Sequence, residues 1–280
     1  MTPPLPTLDA AVYLAPLREG GSLPAVVETG DGGLWVVKFR GAGQGPRALV
    51  AEIIVAGLAR VLGLPVPELA LVRLDAGFGQ GERDPEIRDV LRFSEGINVG
   101  VRYLDGAFNL DPVAVPEAVG PGLATATVWL DALVTNPDRS PRNPNLMFWA
   151  GRTWLIDHGA ALFDHHDWAR VTPERIRRPF PAIRDHILLS LARNVLEADA
   201  RLAPSLDRAS LEGVVAAVPD ELLGDPARPG SPAADPEAER ARYVSYLHTR
   251  LEGPRAFAHE AEHLRLERRS APPRRLEARR

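Results

Sequence analysis

The sequence predicts an α+β fold, a small antiparallel β-sheet carrying one helix, followed by a mainly helical part. Three observations point to it. The N-terminal third holds short runs rich in β-branched and aromatic residues, set apart by glycine-containing turns. A single long apolar stretch with helical spacing interrupts those runs. Beyond it, the patterns are predominantly helical. The chain divides accordingly into residues 1–104, residues 105–260 and a basic tail, 261–280.

The elements follow in order. "AVYLAPL" and "PAVVET" read as two strands around the loop "REGGSLP", and "LWVVKF" as a third, entered through a hairpin turn at Thr29–Gly33. "GPRALVAEIIVAGLARVLG" is a helix that starts at Pro46 and stops at Gly63, with Leu49, Ile53, Ala56 and Leu62 at helical spacing. "LPVPELALVRL" is a further strand. The polar insertion "DAGFGQGERDPEIRD" reads as a surface loop with one helical turn, and "INVGVRYLDG" as a strand and a turn.

"PGLATATVWLDALVTN" is expected to be an amphipathic helix with Leu123, Val128, Leu130 and Leu133 facing a core. "NLMFW" and "TWLID" form a hairpin joined by "AGR". In the last third, "AIRDHILLSLARNVLEADARL" reads as one long helix and "RASLEGVVAAV" as a shorter one. "DPEAERARYVSYLHTRLEGPRAFAHEAEHL" reads as one or two more. "GDPARPGSPAADP" is a linker, and the basic tail carries too little apolar surface to fold alone.

Composition excludes several classes. A net charge of −4 argues against a nucleic-acid binder driven by bulk positive field. The absence of cysteine removes disulfide and thiolate chemistry. "MTPPLPTLDAAVYL" lacks the pattern of a signal peptide, and the chain has no apolar run of about 18 residues to span a membrane. A cytoplasmic protein is expected, with neither nucleic acid nor membrane as a direct partner.

Of the 33 basic residues only one, Lys38, is lysine. A coding background that favours arginine leaves lysine where a planar guanidinium would not serve, although count alone does not separate this from accidental survival. Lys38 lies in the strand "LWVVKF", and Glu52 lies in the second turn of the helix that follows. The two could meet, or Glu52 could point to solvent. The glycines of "RGAGQGP" between them mimic a dinucleotide-binding turn, but the preceding strand is fed by a hairpin and no Walker sequence occurs, so no Rossmann domain is expected. "FDHHDW", residues 163–168, clusters His165, His166, Asp164 and Asp167. Adjacent histidines point apart and no third ligand is suitably spaced, so it reads as a polar turn and not a transition-metal site.

The most informative stretch is "TNPDRSPRNPNLMFW". Three of the chain's six asparagines fall between Asn136 and Asn145, with Pro137, Pro141 and Pro144 stiffening a loop. Asp138 lies five residues before Asn143, and Asp157 stands at the end of the next hairpin, just before a His–Gly pair. Phosphoryl transfer needs a carboxylate near the attacking hydroxyl, oxygen ligands for Mg²⁺ and a cation on the nucleotide phosphates. Lys38, Asp138, Asn143 and Asp157 offer those groups, with Glu52 placed to orient the lysine.

This order of motifs resembles the protein-kinase-like superfamily, and most closely the HipA-like kinases. "NPDRSPRNPN" looks like their catalytic loop and "LIDHG" like their metal-binding strand end. The spacing D-R-x-x-x-N followed by I-D-x-G is also similar to phosphatidylinositol kinases. The resemblance covers roughly residues 10 to 165 and implies a two-lobed kinase-like fold using ATP and Mg²⁺. It implies that Asp138 is the catalytic aspartate, that Asn143 and Asp157 bind Mg²⁺, and that Lys38 binds phosphates beside Glu52. Gly20, Gly21 and Ser22 fall where kinases cover the phosphates, and adenine is expected near "NVGVRYL". His158 stands where many kinases carry Phe, and the chain is shorter than full toxin kinases. The implied reaction is phosphate transfer to a hydroxyl, of protein Ser or Thr. Small-molecule or lipid-headgroup acceptors and a nucleotide-binding pseudokinase are the alternatives, and Asp138, which a scaffold does not need, argues against the last. Asn145 is left as either a further polar ligand or a cap on the hairpin.

Overall fold

The computed structural model describes residues 4–17, 23–43, 45–224 and 235–270. Its N-terminal strands are β1 (Thr7–Pro16), β2 (Ala25–Thr29), β3 (Leu34–Lys38), β4 (Leu69–Leu74) and β5 (Gly96–Arg102), interrupted by helices α1 (Pro46–Val61) and α2 (Pro85–Arg92). They close into a barrel in the order β1-β2-β3-β5-β4. All pairs are antiparallel except β1 and β4, which run parallel from Thr7 beside Leu71 to Asp9 beside Arg73. The fully antiparallel sheet expected from the hairpins is thus corrected. Directions cannot alternate all the way around a ring with an odd number of strands, so closure forces one parallel pair.

Barrel closure also explains why β4 is almost continuously apolar. Ala70, Val72 and Leu74 join Ala25, Val27, Trp35 and Val37 in one buried cluster, while Leu69 and Leu71 join the core that contains α1. A strand buried on both faces shows no alternation. Gly100 of β5 is required here, because a Cβ would sit 2.7 Å from Val72 Cγ2. The polar insertion does more than the surface turn expected of it. Asp84 caps α2 by accepting from Glu86 N, and Ile87 and Leu91 pack into the barrel cluster. The N-terminal part therefore carries two helices, not one.

Helix α1 follows β3 through a tight turn, with Gly45 at φ 70° and Pro46 in the first helical position. It is buried without a break from Leu49 to Ala59 because it lies between β5 and the C-terminal helix α7 (Arg208–Val215). Since β3 is antiparallel to both neighbours, the turn belongs to no parallel β–α–β crossover.

From β5 the chain enters a second sheet, β6 (Phe108–Asn109), β7 (Leu146–Trp149) and β8 (Arg152–Leu155), around α3 (Val115–Ala118) and α4 (Pro121–Leu133). Trp149 pairs with Arg152, leaving Ala150 and Gly151, both at positive φ, as the two-residue turn. Helix α4 is not amphipathic as expected. Every residue from Ala124 to Leu133 is buried, because α6 (Val195–Leu202), α8 (Pro236–Leu251) and α9 (Ala256–Ser270) surround it. Its polar members are satisfied locally, with Thr125 and Thr127 donating to the carbonyls of Pro121 and Leu123. The buried Arg250 of α8 caps its C-terminus, Nε donating to Leu133 O at 2.6 Å and Nη2 to Ala132 O at 2.9 Å.

The segment expected as one long helix is broken. A short 3₁₀ turn, Pro181–Asp185, is followed by irregular chain, and α6 begins only after Asn194, whose side chain accepts from Leu196 N and Glu197 N. Capping and the burial of His186 outweigh the periodicity. The short helix α5 (Pro173–Ile176) packs on α8. Residues 261–270, expected as part of the tail, instead complete α9, with Ala261 and Leu264 buried. The remainder of the tail and most of the proline-rich linker lie outside the described residues. No described helix is long and apolar enough to cross a membrane.

Candidate active site

Lys38 is the last residue of β3, and its pairing with Val99 of β5 turns the side chain toward α1. There Nζ donates to Glu52 Oε2 at 2.7 Å and to Asp157 Oδ1 at 2.7 Å. Glu52 is only 2 % exposed, so it is not the solvent-facing acid that was the alternative. The same Oε2 accepts the backbone N–H of His158 at 2.7 Å, which fixes the carboxylate from two directions. Burial alone would lower the Lys38 pKa, but the two carboxylates outweigh it and hold the ammonium above the ordinary lysine value. Lys38 in turn holds the Asp157 carboxyl below the usual range, against the opposing effect of burial. Asp157 has a left-handed backbone, φ 54°, and its side chain remains 43 % exposed. Strain at a non-glycine residue is tolerated where the surroundings fix it, here Lys38 on one side and the Glu52–His158 bond on the other.

The second group lies in the loop after α4. Asp138 Oδ2 accepts from Asn143 Nδ2 at 3.0 Å and from Asn145 Nδ2 at 3.2 Å, and Asn145 Nδ2 also bonds the Asp138 carbonyl at 3.0 Å. Ser140 and Asn143 exchange backbone hydrogen bonds, closing the proline-rich segment into a tight turn. Asn145, at φ 49°, therefore clamps the loop. Its carbonyl accepts Ile156 N at 3.1 Å and so joins the loop to the strand that leads to Asp157.

Arg139 holds the two groups together. It is 1 % exposed, and its Nε donates to Asp131 Oδ2 of α4 at 2.6 Å. Nη1 donates to the carbonyls of Asn145 and Ile156, and Nη2 lies 3.3 Å from His158 Nδ1. Asp131 also accepts from Asn136 Nδ2 at 3.0 Å and contacts His186 Nε2 at 2.9 Å. Burial would raise the Asp131 pKa, but Arg139 and His186 overcome it, so the carboxyl stays ionised. Burial pushes His158 down to about 4, and Arg139 acts in the same sense. His158 is thus neutral, with Nδ1 free to accept from Arg139.

Lys38, Glu52 and Asp157 thus form one cluster, and Asp138, Asn143 and Asn145 another. The clusters are joined through residues 139, 156 and 158. Gly20, Gly21 and Ser22 lie outside the described residues. Asp131 and His186 carry no role in the sequence-based expectation, and neither does Arg139, although it lies inside the catalytic-loop motif. An acid inside an otherwise apolar helix was the available signal for Asp131. His186 carried none.

The oxygen groups suit a hard cation. Asp157 has Oδ2 beyond its bond to Lys38, and Asn143 engages Asp138 only through its amide nitrogen, leaving its carbonyl oxygen. No group of three or more His, Cys, Asp or Glu among the described residues could hold a metal on its own. A site with one carboxylate and one amide is the kind in which Mg²⁺ is completed by phosphates and water.

The model of the HipA-like kinase family matches residues 13–222. Among solved structures, the chain is similar to the Helicobacter pylori proinflammatory kinase CtkA, with a TM-score of 0.55 and 14 % identity over 95 % of this chain and 100 % of that one. It is also similar to HipA of Shewanella oneidensis, solved with HipB and operator DNA, with a TM-score of 0.43 and 13 % identity over 90 % of this chain and 68 % of that one. No curated protein matches it. The family match runs from within β1 through the rest of the barrel, the loop with Asp138 and the strand end with Asp157, and this chain belongs to the HipA-like kinase family.

Proposed function

We propose that the chain is an ATP- and Mg²⁺-dependent phosphotransferase of two-lobed, kinase-like architecture, which transfers the γ-phosphate to the hydroxyl of a protein Ser or Thr. The observation that carries this reading is the joining of two clusters through Arg139, an ammonium between two carboxylates and a carboxylate held by two amides. Lys38 neutralises nucleotide phosphates, and Glu52 keeps its ammonium aimed. Asp138 receives the acceptor hydroxyl, orients it and takes its proton as the bond to phosphorus forms. Asn143 and Asp157 would hold Mg²⁺, which supplies charge neutralisation on the phosphates. The loop's prolines and the buried Arg139–Asp131 pair keep Asp138 positioned, so little reorganisation accompanies reaction.

Ligand-induced stabilisation tests the reading. A ligand present at 100 times its dissociation constant adds roughly 2.7 kcal/mol, several degrees in melting temperature. MgATP should raise the melting temperature of the wild type, and Asp157→Ala should lose the Mg²⁺-dependent part. A wild-type curve unmoved by millimolar MgATP contradicts the proposal.

A further inference from the structure

The described part of the chain has a cavity of about 600 Å³ at the far end of α1, lined by none of Lys38, Glu52, Asp138, Asn143 or Asp157. Arg60 stands two turns beyond Glu52 on α1, about 12 Å along the helix axis. Around it converge Glu68 from the loop before β4, Arg102 from the end of β5, and Trp149, Arg152 and Trp154 from the β7–β8 hairpin. The volume falls in the range of small-molecule sites.

Three guanidiniums against one carboxylate leave the lining with a net charge of +2. None of the three arginines makes an ion pair within 4 Å in the described structure. Glu68 acts on Arg60 and Asp31 of the β2–β3 turn on Arg102 at longer range, and each guanidinium is held in contact by an uncharged neighbour. Arg60 Nη2 donates to Pro67 O at 2.6 Å, the Arg102 guanidinium lies 5.2 Å from the Trp35 ring centre, and that of Arg152 lies 4.0 Å from the Trp154 ring centre. Such contacts orient a guanidinium without neutralising it, so its remaining N–H donors stay available to an oxyanion. The two indoles are already satisfied, Trp149 Nε1 donating to Asp105 O at 2.9 Å and Trp154 Nε1 to Trp149 O at 3.1 Å. They pack edge to face, 5.5 Å between centres, and offer the cavity apolar ring surface and no polar demand.

Guanidiniums without a close ion pair, set beside aromatic surface, are the pairing that binds a phosphate together with a planar ring. We propose that this cavity is a second ligand site, distinct from the cluster around Lys38, and that it takes a small anion made of a planar ring and a phosphate, of the mononucleotide class. The guanidiniums receive the phosphate and the indoles receive the ring. The proposal does not depend on the kinase reading.

Calorimetric titration of the full chain in EDTA tests it, with AMP, adenosine and inorganic phosphate as separate probes. Three proteins are compared, the wild type, Arg102→Ala/Arg152→Ala and Lys38→Ala. Arg102 and Arg152 are exposed, so their loss leaves the fold intact, which circular dichroism checks, and Arg152→Glu provides a second, charge-reversed variant. AMP should bind the wild type and Lys38→Ala alike, and at least tenfold more weakly to both cavity variants. Adenosine and phosphate should each bind at least tenfold more weakly than AMP. No AMP binding to the wild type at millimolar concentration overturns the proposal, as does equal affinity in the cavity variants or loss only in Lys38→Ala. Phosphate binding as tightly as AMP overturns the role given to the indoles.

Discussion

Lys38 and Glu52 meet at 2.7 Å across the joint between β3 and α1, and the oxygen that receives the lysine also receives the His158 backbone. A compact ammonium fits between Glu52 and Asp157, both of which it contacts at 2.7 Å. A guanidinium is wider, planar and stiff, and it cannot hold both carboxylates from one atom. Lys38→Arg is therefore expected to lower kcat/KM at least tenfold while the protein remains folded. Steady-state phosphate transfer beside a thermal melt checks this, and near-normal turnover would return Lys38 to accidental survival.

Arg139 leads to a prediction about stability. Its removal leaves Asp131 fully buried, with His186 and Asn136 as remaining partners. Breaking a buried ion pair from one side costs about 3–5 kcal/mol. Arg139→Met should show that loss in urea unfolding, and Asp131→Asn with Arg139→Met should recover part of it, because no uncompensated charge remains. A single variant as stable as the wild type would show that Arg139 does not hold the loop.

Much of the candidate site was legible in the sequence because its residues break local rules. Three prolines and three asparagines between apolar runs fit neither helix nor strand, and one lysine among 33 basic residues is conspicuous. Strand and hairpin positions were legible from turn chemistry, as at Ala150–Gly151. What was not legible depends on contacts distant in sequence. Parallel pairing of β1 with β4 is a property of closure, and burial of α4 on all sides depends on helices 60 or more residues later. The break before α6 escaped because His186 is pinned by Asp131, 55 positions earlier.

A buried histidine gives a pH prediction. His165 is fully buried, with Nδ1 3.2 Å from the Tyr243 hydroxyl, and burial holds its pKa well below the usual value of 6.5, with His166 and Arg47 acting in the same sense. Below pH 6.5 the unfolded chain takes up a proton that the folded state refuses, so stability falls as pH drops. One such group contributes a slope of up to about 1.4 kcal/mol per pH unit. His186 is shifted in the same direction by burial, so the wild-type decline is shared. In His165→Asn the loss of unfolding free energy between about pH 7 and pH 5 should shrink by about 1–2 kcal/mol. Urea titrations at the two pH values measure it, and an unchanged decline would contradict the assignment.

If Asp138 receives the acceptor's proton, Asp138→Asn should abolish phosphate transfer and leave nucleotide binding in place. The change keeps the size of the side chain and an oxygen for Asn143 and Asn145 to bond, but removes charge and basicity. General-base assistance is worth typically 10²–10⁴-fold in rate, roughly 3–5 kcal/mol of barrier. The measurement is transfer of labelled γ-phosphate from ATP to the protein itself or to a Ser/Thr substrate, beside MgATP affinity for both forms. The variant should bind MgATP as the wild type does and lose transfer by at least a hundredfold. Equal, non-zero transfer by the two proteins would contradict that role for Asp138.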